Sequence, residues 1–364
     1  QPSAQRALAR SAHLQMPEFP RPVKAPESPR QRRQQRRRAA RRGSLVDDNR
    51  RGPDRLTRYP PEQVPLLQIW LPGQSASLPQ AAGGELRTEA GVDTIIVKDG
   101  KAQGVALENG EEIQGRLVVS AMDVKRTFLQ CMDKSDLPEE FYNRVTHFKS
   151  RGSSGKLNIA LDGMPEFPAL PKGSSLYHSD MHFIDSMERM ERAYDDWKDG
   201  TWSKDPYIDM VIPTMVDPTM APPGKHFMSC FIQYCPHEIE GRPWTDAERE
   251  AFAQTVINQI ANYSPDFKKL ILHYEVRTPA VIEDEIGITE GNIFHGELTM
   301  DQLLFNRPVP GYAQYRSPVA GLYMCGSSTH PGGGVMAAPG ANAAREIFRD
   351  LKQLSTVPEN FGDD

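Results

Sequence analysis

The chain has 364 residues, of which 38% are hydrophobic and 25% charged, so it is long enough for two domains of ordinary size. No run of 18 apolar residues occurs, so the sequence predicts no transmembrane helix, and four cysteines are too few for a disulfide framework. The net charge of −5 is uneven: residues 1–58 hold 16 basic and five acidic residues, whereas the remainder holds 27 basic and 43 acidic ones.

Residues 1–84 differ in composition from everything that follows. Five prolines fall within residues 17–29, and a basic run follows at 30–42. Few apolar residues are present to offset chain entropy, so this leader is predicted to be disordered. Its arginines suit an anionic surface or an organelle-targeting sequence, but no aromatic residues are interleaved for base stacking, which disfavours specific nucleic-acid binding. Because the chain begins with Gln1, we expect the natural amino terminus to lie upstream.

Residues 91–121 have the pattern of short strands joined by tight turns. Asp99-Gly100 and Asn109-Gly110 are turn sequences typical of β-hairpins. Asp123 is predicted to cap a helix that begins at Val124. The predicted strands are residues 92–98, residues 103–108 and an apolar strand at 116–121 that we expect to be buried on both faces.

Residues 141–316 are predicted to form an α+β substrate or cap domain. Thr245 and Glu248 form a capping box that opens a helix. The charged stretch 188–204 and the acidic stretch 283–285 are predicted to be surface loops. The predicted strands are residues 156–161, 207–212 and 225–235, and the predicted buried helix face comprises Phe252, Val256, Ile260 and Tyr263.

A glycine-rich turn near the carboxyl terminus is the most informative feature. It consists of residues 327–334, SSTHPGGG, between a predicted buried strand at 321–326 and a predicted helix at 335–354 that starts loosely or kinks at Pro339 and Gly340. Consecutive glycines let the backbone approach a ligand where a Cβ atom would collide. A helix amino terminus directly after them favours a phosphate, a ribityl chain or the edge of a flavin ring. A strand-to-helix connector without a ligand is the alternative.

The cysteines and histidines give weaker signals. Cys230 and Cys235 have the spacing of a redox disulfide, but in one extended strand they would lie about 16 Å apart at roughly 3.3 Å per residue, so we predict that they do not pair. Cys131 and Cys325 are expected to pack as small hydrophobic residues. No cluster has metal-ligand spacing, so no metal is predicted. His295 and His330 are the histidines beside the predicted site, and a structural role is the alternative for each.

Residues 291–352, which contain NIFHGELTMDQLLFNRPVPGY and GLYMCGSSTHPGGGVMAAPGANAA, closely resemble the carboxyl terminus of phytoene-desaturase-type flavoproteins. FYNRVT at 141–146, DPTMAPPGKH at 217–226 and the hairpin at 95–123 resemble the same family. The resemblance extends from about residue 84 to residue 354. It implies an α/β fold, a Rossmann-like two-domain FAD-binding flavoprotein into which an α+β substrate domain is inserted.

The resemblance implies domains at 85–140 (FAD-binding), 141–316 (substrate) and 317–354 (FAD-binding strand, turn and helix), and a tail at 355–364. The residues implied along the isoalloxazine and ribityl chain are Gly326, Pro331, Gly332, Gly333, Gly334, Val335 and Met336, and those near the adenine are Val92, Ser120 and Ala121. The family also has an amino-terminal strand–GxGxxG–helix that holds the pyrophosphate. Residues 1–84 contain no GxGxxG, so we expect that part of the fold to be absent or scrambled here.

The resemblance implies a FAD-dependent oxidoreductase that accepts hydride from a C–H bond of an apolar or amphipathic substrate, with the strands at 207–212 and 226–235 walling its cavity. A non-catalytic binding or regulatory protein that keeps the fold without a complete FAD site is the alternative, and a protein partner stays open. Few cysteines and no recognisable signal peptide favour the bacterial cytoplasm. The resemblance makes the mitochondrial matrix the alternative.

Overall fold

The computed structural model describes residues 83–334 and 337–356, without the side chains of 353–356. The predicted disorder of residues 1–84 therefore concerns a segment that lies almost wholly outside the described residues. Val335 and Met336 also lie outside them. Within the described residues, no helix has the length and apolar character needed to cross a bilayer.

The first sheet contains the antiparallel hairpin that the sequence predicts and adds a short third strand that it does not predict. Its strands, in the order β1-β2-β3, are β1 (Val92–Lys98), β2 (Lys101–Leu107) and β3 (Glu112–Gln114). Asp99 and Gly100 have φ of 51° and 72°, the left-handed conformation that a two-residue hairpin turn requires. Turn chemistry and strand alternation together therefore determine this sheet.

The second sheet pairs two strands that are distant in the sequence. Strand β4 (Val118–Ser120) lies parallel to β10 (Leu322–Met324), and a π-helical turn (Arg126–Gln130) follows β4. The Asp123 carboxylate accepts the Arg126 N–H at 2.9 Å, so the predicted cap is confirmed. Val118 and Val119 are only half-buried, so the expectation of burial on both faces is wrong for them. The parallel pair and its helices confirm the α/β class.

The third sheet is antiparallel and has five strands. They are β5 (Ser154–Leu161), β6 (Met181–Phe183), β7 (Tyr207–Val211), β8 (His226–Gln233) and β9 (Ile271–Arg277), in the order β6-β7-β8-β5-β9. Alternate side chains on one face, such as Leu157, Met210 and Ile232, are fully buried in a core shared with Phe252 and Val256. A separate core contains Ile95, Phe128, Phe141 and Leu322. The predicted domain boundaries stay a prediction.

The helices correct three expectations. Their bounds are α1 (Glu139–Thr146), α2 (Met187–Lys198), α3 (Asp246–Tyr263), α4 (Phe267–Leu270), α5 (Pro279–Ile286) and α6 (Ala338–Thr356). Stretch 188–204 is largely helix α2 rather than a loop, because Ser186 caps the first turn of that helix. Acidic stretch 283–285 lies in α5, which Thr278 caps and Gly287 ends at φ 80°. Helix α6 begins three residues later than predicted, which places Pro339 in the first turn, where its missing N–H is harmless.

The capping box of α3 is confirmed, since the Thr245 hydroxyl and the Glu248 carboxylate each accept the other's backbone N–H. Three of the four residues predicted for its buried face are buried. Tyr263 is 43% exposed because it is the last residue of the helix, where its ring lies 5.3 Å from that of Phe183.

Short 3₁₀ turns cover Lys134–Asp136, Ser175–His178, Pro213–Met215, Pro218–Met220, Thr289–Gly291, Met300–Gln302 and Leu304–Asn306.

Candidate functional site

The carboxyl ends of β4 and β10 meet at one edge of the parallel pair, where open α/β sheets bind ligands. The Cys325 N–H donates to the Ser120 carbonyl at 2.8 Å. A Cβ atom on Gly326 would lie 2.3 Å from the Ala121 carbonyl oxygen, so only glycine fits there. Ser120, Ala121 and Gly326, predicted from positions more than 200 residues apart, are therefore brought together.

The glycine turn folds back on itself through short hydrogen bonds. Thr329 donates its N–H and its hydroxyl to the Gly326 carbonyl at 3.0 and 2.8 Å, and the Gly332 N–H donates to Thr329 at 2.7 Å. Gly332 and Gly334 have φ of 101° and 129°, which disfavour any residue with a Cβ atom. Gly333 is not in that region, and a Cβ atom there would lie 2.8 Å from the Phe294 ring. Close packing, rather than a positive φ, requires glycine at 333.

Arg307 joins this turn to the segment 294–302. Its guanidinium is fully buried and, among the described residues, has no carboxylate within ion-pair distance. Its donors reach the carbonyl oxygens of Phe294 (2.7 Å), Ser327 (2.9 Å), Glu297 (3.3 Å), Gly296 (3.4 Å) and Gln302 (3.4 Å). Burial lowers the pKa of Arg307 to about 10, so it remains a cation at neutral pH. The sequence does not identify this residue as functional, because its only signal is an arginine without acidic neighbours in NRPVP.

His295 is the histidine whose environment most resembles a ligand site. Its φ is 57°, a strained value for a residue other than glycine, and such strain is often found at functional sites. Its carbonyl accepts the Ser328 hydroxyl at 2.9 Å, while its buried Nδ1 has no hydrogen-bond partner among the described residues. Burial lowers the pKa of His295, Arg307 lowers it further and Asp123 partly opposes them. The imidazole is therefore neutral at pH 7.

Ser328 is a second residue that the sequence analysis missed. Its hydroxyl accepts the Val124 N–H at 3.1 Å and donates to His295, so it links the helix after β4 to the His295 segment. Asp123 reinforces the same link, because its carboxylate accepts both the N–H and the hydroxyl of Thr289, at 2.9 and 2.8 Å. These contacts fix three chain segments around the turn.

The three remaining predicted residues that the structure describes are His330, Val92 and Pro331. The half-buried His330 offers its backbone carbonyl to the Tyr315 hydroxyl at 2.8 Å. Val92 lies at the start of β1, where its carbonyl accepts the Cys131 thiol at 3.9 Å, and none of its described hydrogen bonds reaches the turn. Pro331 precedes the glycines and is exposed.

Cys230 and Cys235 are both free and buried, and they do not share a strand. Strand β8 ends at Gln233, so the expectation that one strand holds both residues is wrong for Cys235. Burial raises the pKa of Cys230 to about 12 and that of Cys235 well above its ordinary value. Thiols that resist ionisation are poor nucleophiles, so neither residue suits disulfide exchange.

Sequence comparison finds relatives over most of the described residues. Over 287 residues the chain is 39% identical to pyridine nucleotide-disulfide oxidoreductase domain-containing protein 2 of Mus musculus, covering 77% of this chain and 49% of that protein. Over 281 residues it is 28% identical to the phytoene desaturase (neurosporene-forming) of Cereibacter sphaeroides, covering 76% and 51%. The resemblance to phytoene-desaturase-type flavoproteins is confirmed. The chain spans about half the length of the curated relatives it matches.

No family model matches the chain. Among solved structures, an oxidoreductase from Methanosarcina mazei has 16% sequence identity and a TM-score of 0.43, covering 75% of this chain and 52% of that one.

Proposed function

We propose that this chain, a relative of the phytoene-desaturase-type flavoproteins, forms the flavin-facing and substrate-facing part of a FAD-dependent oxidoreductase. One observation carries the proposal. A glycine turn at the carboxyl edge of a parallel strand pair lies beside a neutral histidine whose buried Nδ1 has no partner among the described residues. The turn belongs to the segment that resembles the family most closely.

We infer that the glycine turn and His295 contact one side of a flavin. Gly332 and Gly334 place no Cβ atom between the backbone of the turn and a ligand, and His295 has a ring nitrogen without a hydrogen-bond partner among the described residues. Bound FAD would accept a hydride from a C–H bond of an apolar or amphipathic substrate. The further proposed contacts are those of Pro331, Gly333, Val335 and Met336 with the ring and ribityl chain, and those of Val92, Ser120 and Ala121 with the adenine side.

The chain's own groups position the His295 segment and keep additional positive charge away from the flavin. Arg307 and Ser328 hold the backbone carbonyls of Phe294 and His295 against the turn, so this stretch of backbone is already positioned before the cofactor binds. Because His295 stays neutral at pH 7, it places no extra positive charge beside the flavin. We further propose that the protein acts in a reducing compartment, either the bacterial cytoplasm or the mitochondrial matrix. A protein partner is also compatible with this proposal.

The test is titration of the purified chain with FAD, monitored by quenching of flavin fluorescence and by the shift of the visible flavin band. We expect saturable binding at one FAD per chain, and weaker binding of FMN, which lacks the adenosine half. If neither flavin bound, the oxidoreductase proposal would be wrong, and the alternative of a non-catalytic binding protein that keeps the fold would replace it.

A further inference from the structure

Tyr315 lies beside the end of strand β10, from which the chain enters the glycine turn. Its backbone carbonyl accepts the Met324 N–H at 2.8 Å, and the next residue, Arg316, pairs with Tyr323 in an antiparallel bridge. Met324 is the last residue of β10, and the turn begins at Ser327. The backbone of Tyr315 is therefore tied to the strand that carries the turn.

The Tyr315 side chain connects the turn to helix α6. Its hydroxyl donates to the His330 carbonyl at 2.8 Å and accepts the Asn342 Nδ2–H at 2.9 Å. A carbonyl oxygen can only accept a hydrogen bond and an amide N–H can only donate one. Among the described residues, no other side chain outside the turn forms a hydrogen bond with residues 329–334. One buried hydroxyl thus joins the turn to the helix that follows it.

The direction of the Tyr315 hydrogen bonds follows from a neighbouring contact. Arg345 donates to Asn342 Oδ1 at 2.7 Å, so the amide oxygen faces Arg345 and the amide nitrogen faces Tyr315. A chain of hydrogen bonds therefore runs from the exposed Arg345 through Asn342 and Tyr315 to the His330 carbonyl. The phenol proton is directed at the turn.

The backbone of Tyr315 is strained in this position. Its φ is 68°, in the left-handed region, which is an outlier for a residue with a large side chain. Such conformations persist only where surrounding contacts impose them, and they are concentrated at functional sites. Burial of the ring would not by itself require a hydroxyl group, since phenylalanine fills the same space. The hydroxyl therefore needs an explanation beyond packing.

We propose that Tyr315 is a positioning residue, whose hydroxyl holds the glycine turn in the conformation that receives the flavin. The turn's internal bonds lie on both sides of the Tyr315 contact, because Thr329 donates to Gly326 and Gly332 donates to Thr329. Loss of the bond to His330 would therefore loosen the turn between them. The inference rests on the proposed function for the identity of the ligand, whereas the contact is present without a ligand.

The test compares two substitutions that each remove one buried hydroxyl. Tyr315→Phe removes the bond to His330. Tyr323→Phe is the matched control, since each tyrosine is 7% exposed and the Tyr323 hydroxyl binds Asp350 of the same helix at 2.7 Å without reaching the turn. The readout is hydrogen exchange of the full chain without FAD, by mass spectrometry of peptides covering residues 326–334.

We expect Tyr315→Phe to speed exchange of the hydrogen-bonded Thr329 and Gly332 amides about fivefold or more, the effect of one lost hydrogen bond. Tyr323→Phe should leave these amides unchanged. Asn342→Asp tests the same contact with the tyrosine intact. The new carboxylate has no N–H to donate and accepts more strongly than a carbonyl, so the phenol proton turns away from His330 and the turn should again exchange faster.

FAD titration supplies the second readout. Tyr315→Phe and Asn342→Asp should each raise the Kd of FAD about fivefold or more, and Tyr323→Phe should not. Wild-type exchange in the turn of both variants would overturn the inference, as would faster exchange spread equally over the five-stranded sheet, or a loosened turn with unchanged FAD affinity. If even the wild type bound no FAD, the proposed function would be wrong, and exchange in the turn would still decide whether Tyr315 positions it.

Discussion

Arg307 donates through Nη2 to the carbonyl oxygen of Phe294 at 2.7 Å. The bond fixes the residue immediately before His295, whose own carbonyl is held by Ser328. A buried cation, whose hydrogen bonds among the described residues all go to backbone carbonyls, thereby fixes the backbone next to a residue of the proposed site. Geometry, rather than charge pairing, explains why an arginine is required: five N–H donors in a rigid plane reach five acceptors.

We expect Arg307→Met to lower the free energy of unfolding by about 3 kcal/mol or more, because buried carbonyl groups lose their donors. Urea denaturation measures the change. Arg345→Met is the control: its guanidinium contacts Asn342 at the surface, so the effect there should stay within about 0.5 kcal/mol. Equal effects of the two substitutions would contradict the role assigned to Arg307.

His295→Leu should weaken FAD binding without lowering the stability of the FAD-free protein. The substitution removes a buried nitrogen that has no partner among the described residues, so the FAD-free protein should be no less stable than wild type. FAD affinity should fall about tenfold, the effect of losing one good hydrogen bond in a dry site. Thermal unfolding and FAD titration provide the two readouts. A large loss of stability with unchanged FAD affinity would show that His295 is structural.

The His237–Glu283 pair predicts a pH dependence of stability. The hydrogen bond from His237 to Glu283, at 2.6 Å, raises the pKa of His237 above its ordinary 6.5. Burial acts to raise the pKa of Glu283, but His237 and the Glu290 N–H outweigh it, so that pKa lies below its ordinary 4.5. A raised histidine pKa stabilises the fold fully below about 6.5, and this contribution is lost as the pH rises through the folded value. A lowered carboxyl pKa stabilises above about 4.5.

The stability difference between wild type and His237→Gln should therefore be largest between about pH 4.5 and 6.5 and smaller at pH 8. Urea denaturation at pH 6 and pH 8 checks this, with His273→Gln on the exposed side of β9 as the control. A difference that grew towards pH 8 would contradict the assignment.

Cys230 and Cys235 should react with a thiol reagent only after unfolding, because both are buried and their pKa values are raised. Mass spectrometry of the native protein should find both thiols free. Replacement of both by serine should leave flavin reduction unchanged, although stability will fall because hydroxyl groups enter a packed core. A mapped 230–235 disulfide would revive a dithiol mechanism.

Local patterns predict the hairpin and helix α3 well. Asp99-Gly100 specifies a turn by backbone conformation, and Thr245 with Glu248 specifies a helix start by reciprocal hydrogen bonds. These signals lie within a few residues, so the sequence alone contains them. The sequence pattern predicts the start of α6 three residues too early, because the preceding glycines do not show where helical geometry begins, whereas Pro339 lies in the first turn.

Long-range polar contacts could not be predicted in the same way. Arg307 binds carbonyl groups, which every residue has, so no side-chain pattern identifies its partners. The Asp123–Thr289 and Ser328–Val124 contacts join segments more than 160 residues apart. The resemblance of residues 291–352 to a known family implies that the glycine turn contacts the flavin, whereas the consecutive glycines alone predict only that the backbone can approach a ligand closely.

We propose that the glycine turn faces the flavin, and a matched pair of glycine substitutions tests this contact. Gly332 and Gly311 have φ of 101° and 87°, and a Cβ atom would have no protein atom closer than 3.7 Å at Gly332 and none within 4 Å at Gly311. Alanine should therefore impose similar strain at both, about 1–3 kcal/mol. FAD titration should show at least a tenfold loss of affinity for Gly332→Ala and none for Gly311→Ala. Equal FAD affinities in the two folded variants would contradict the claim.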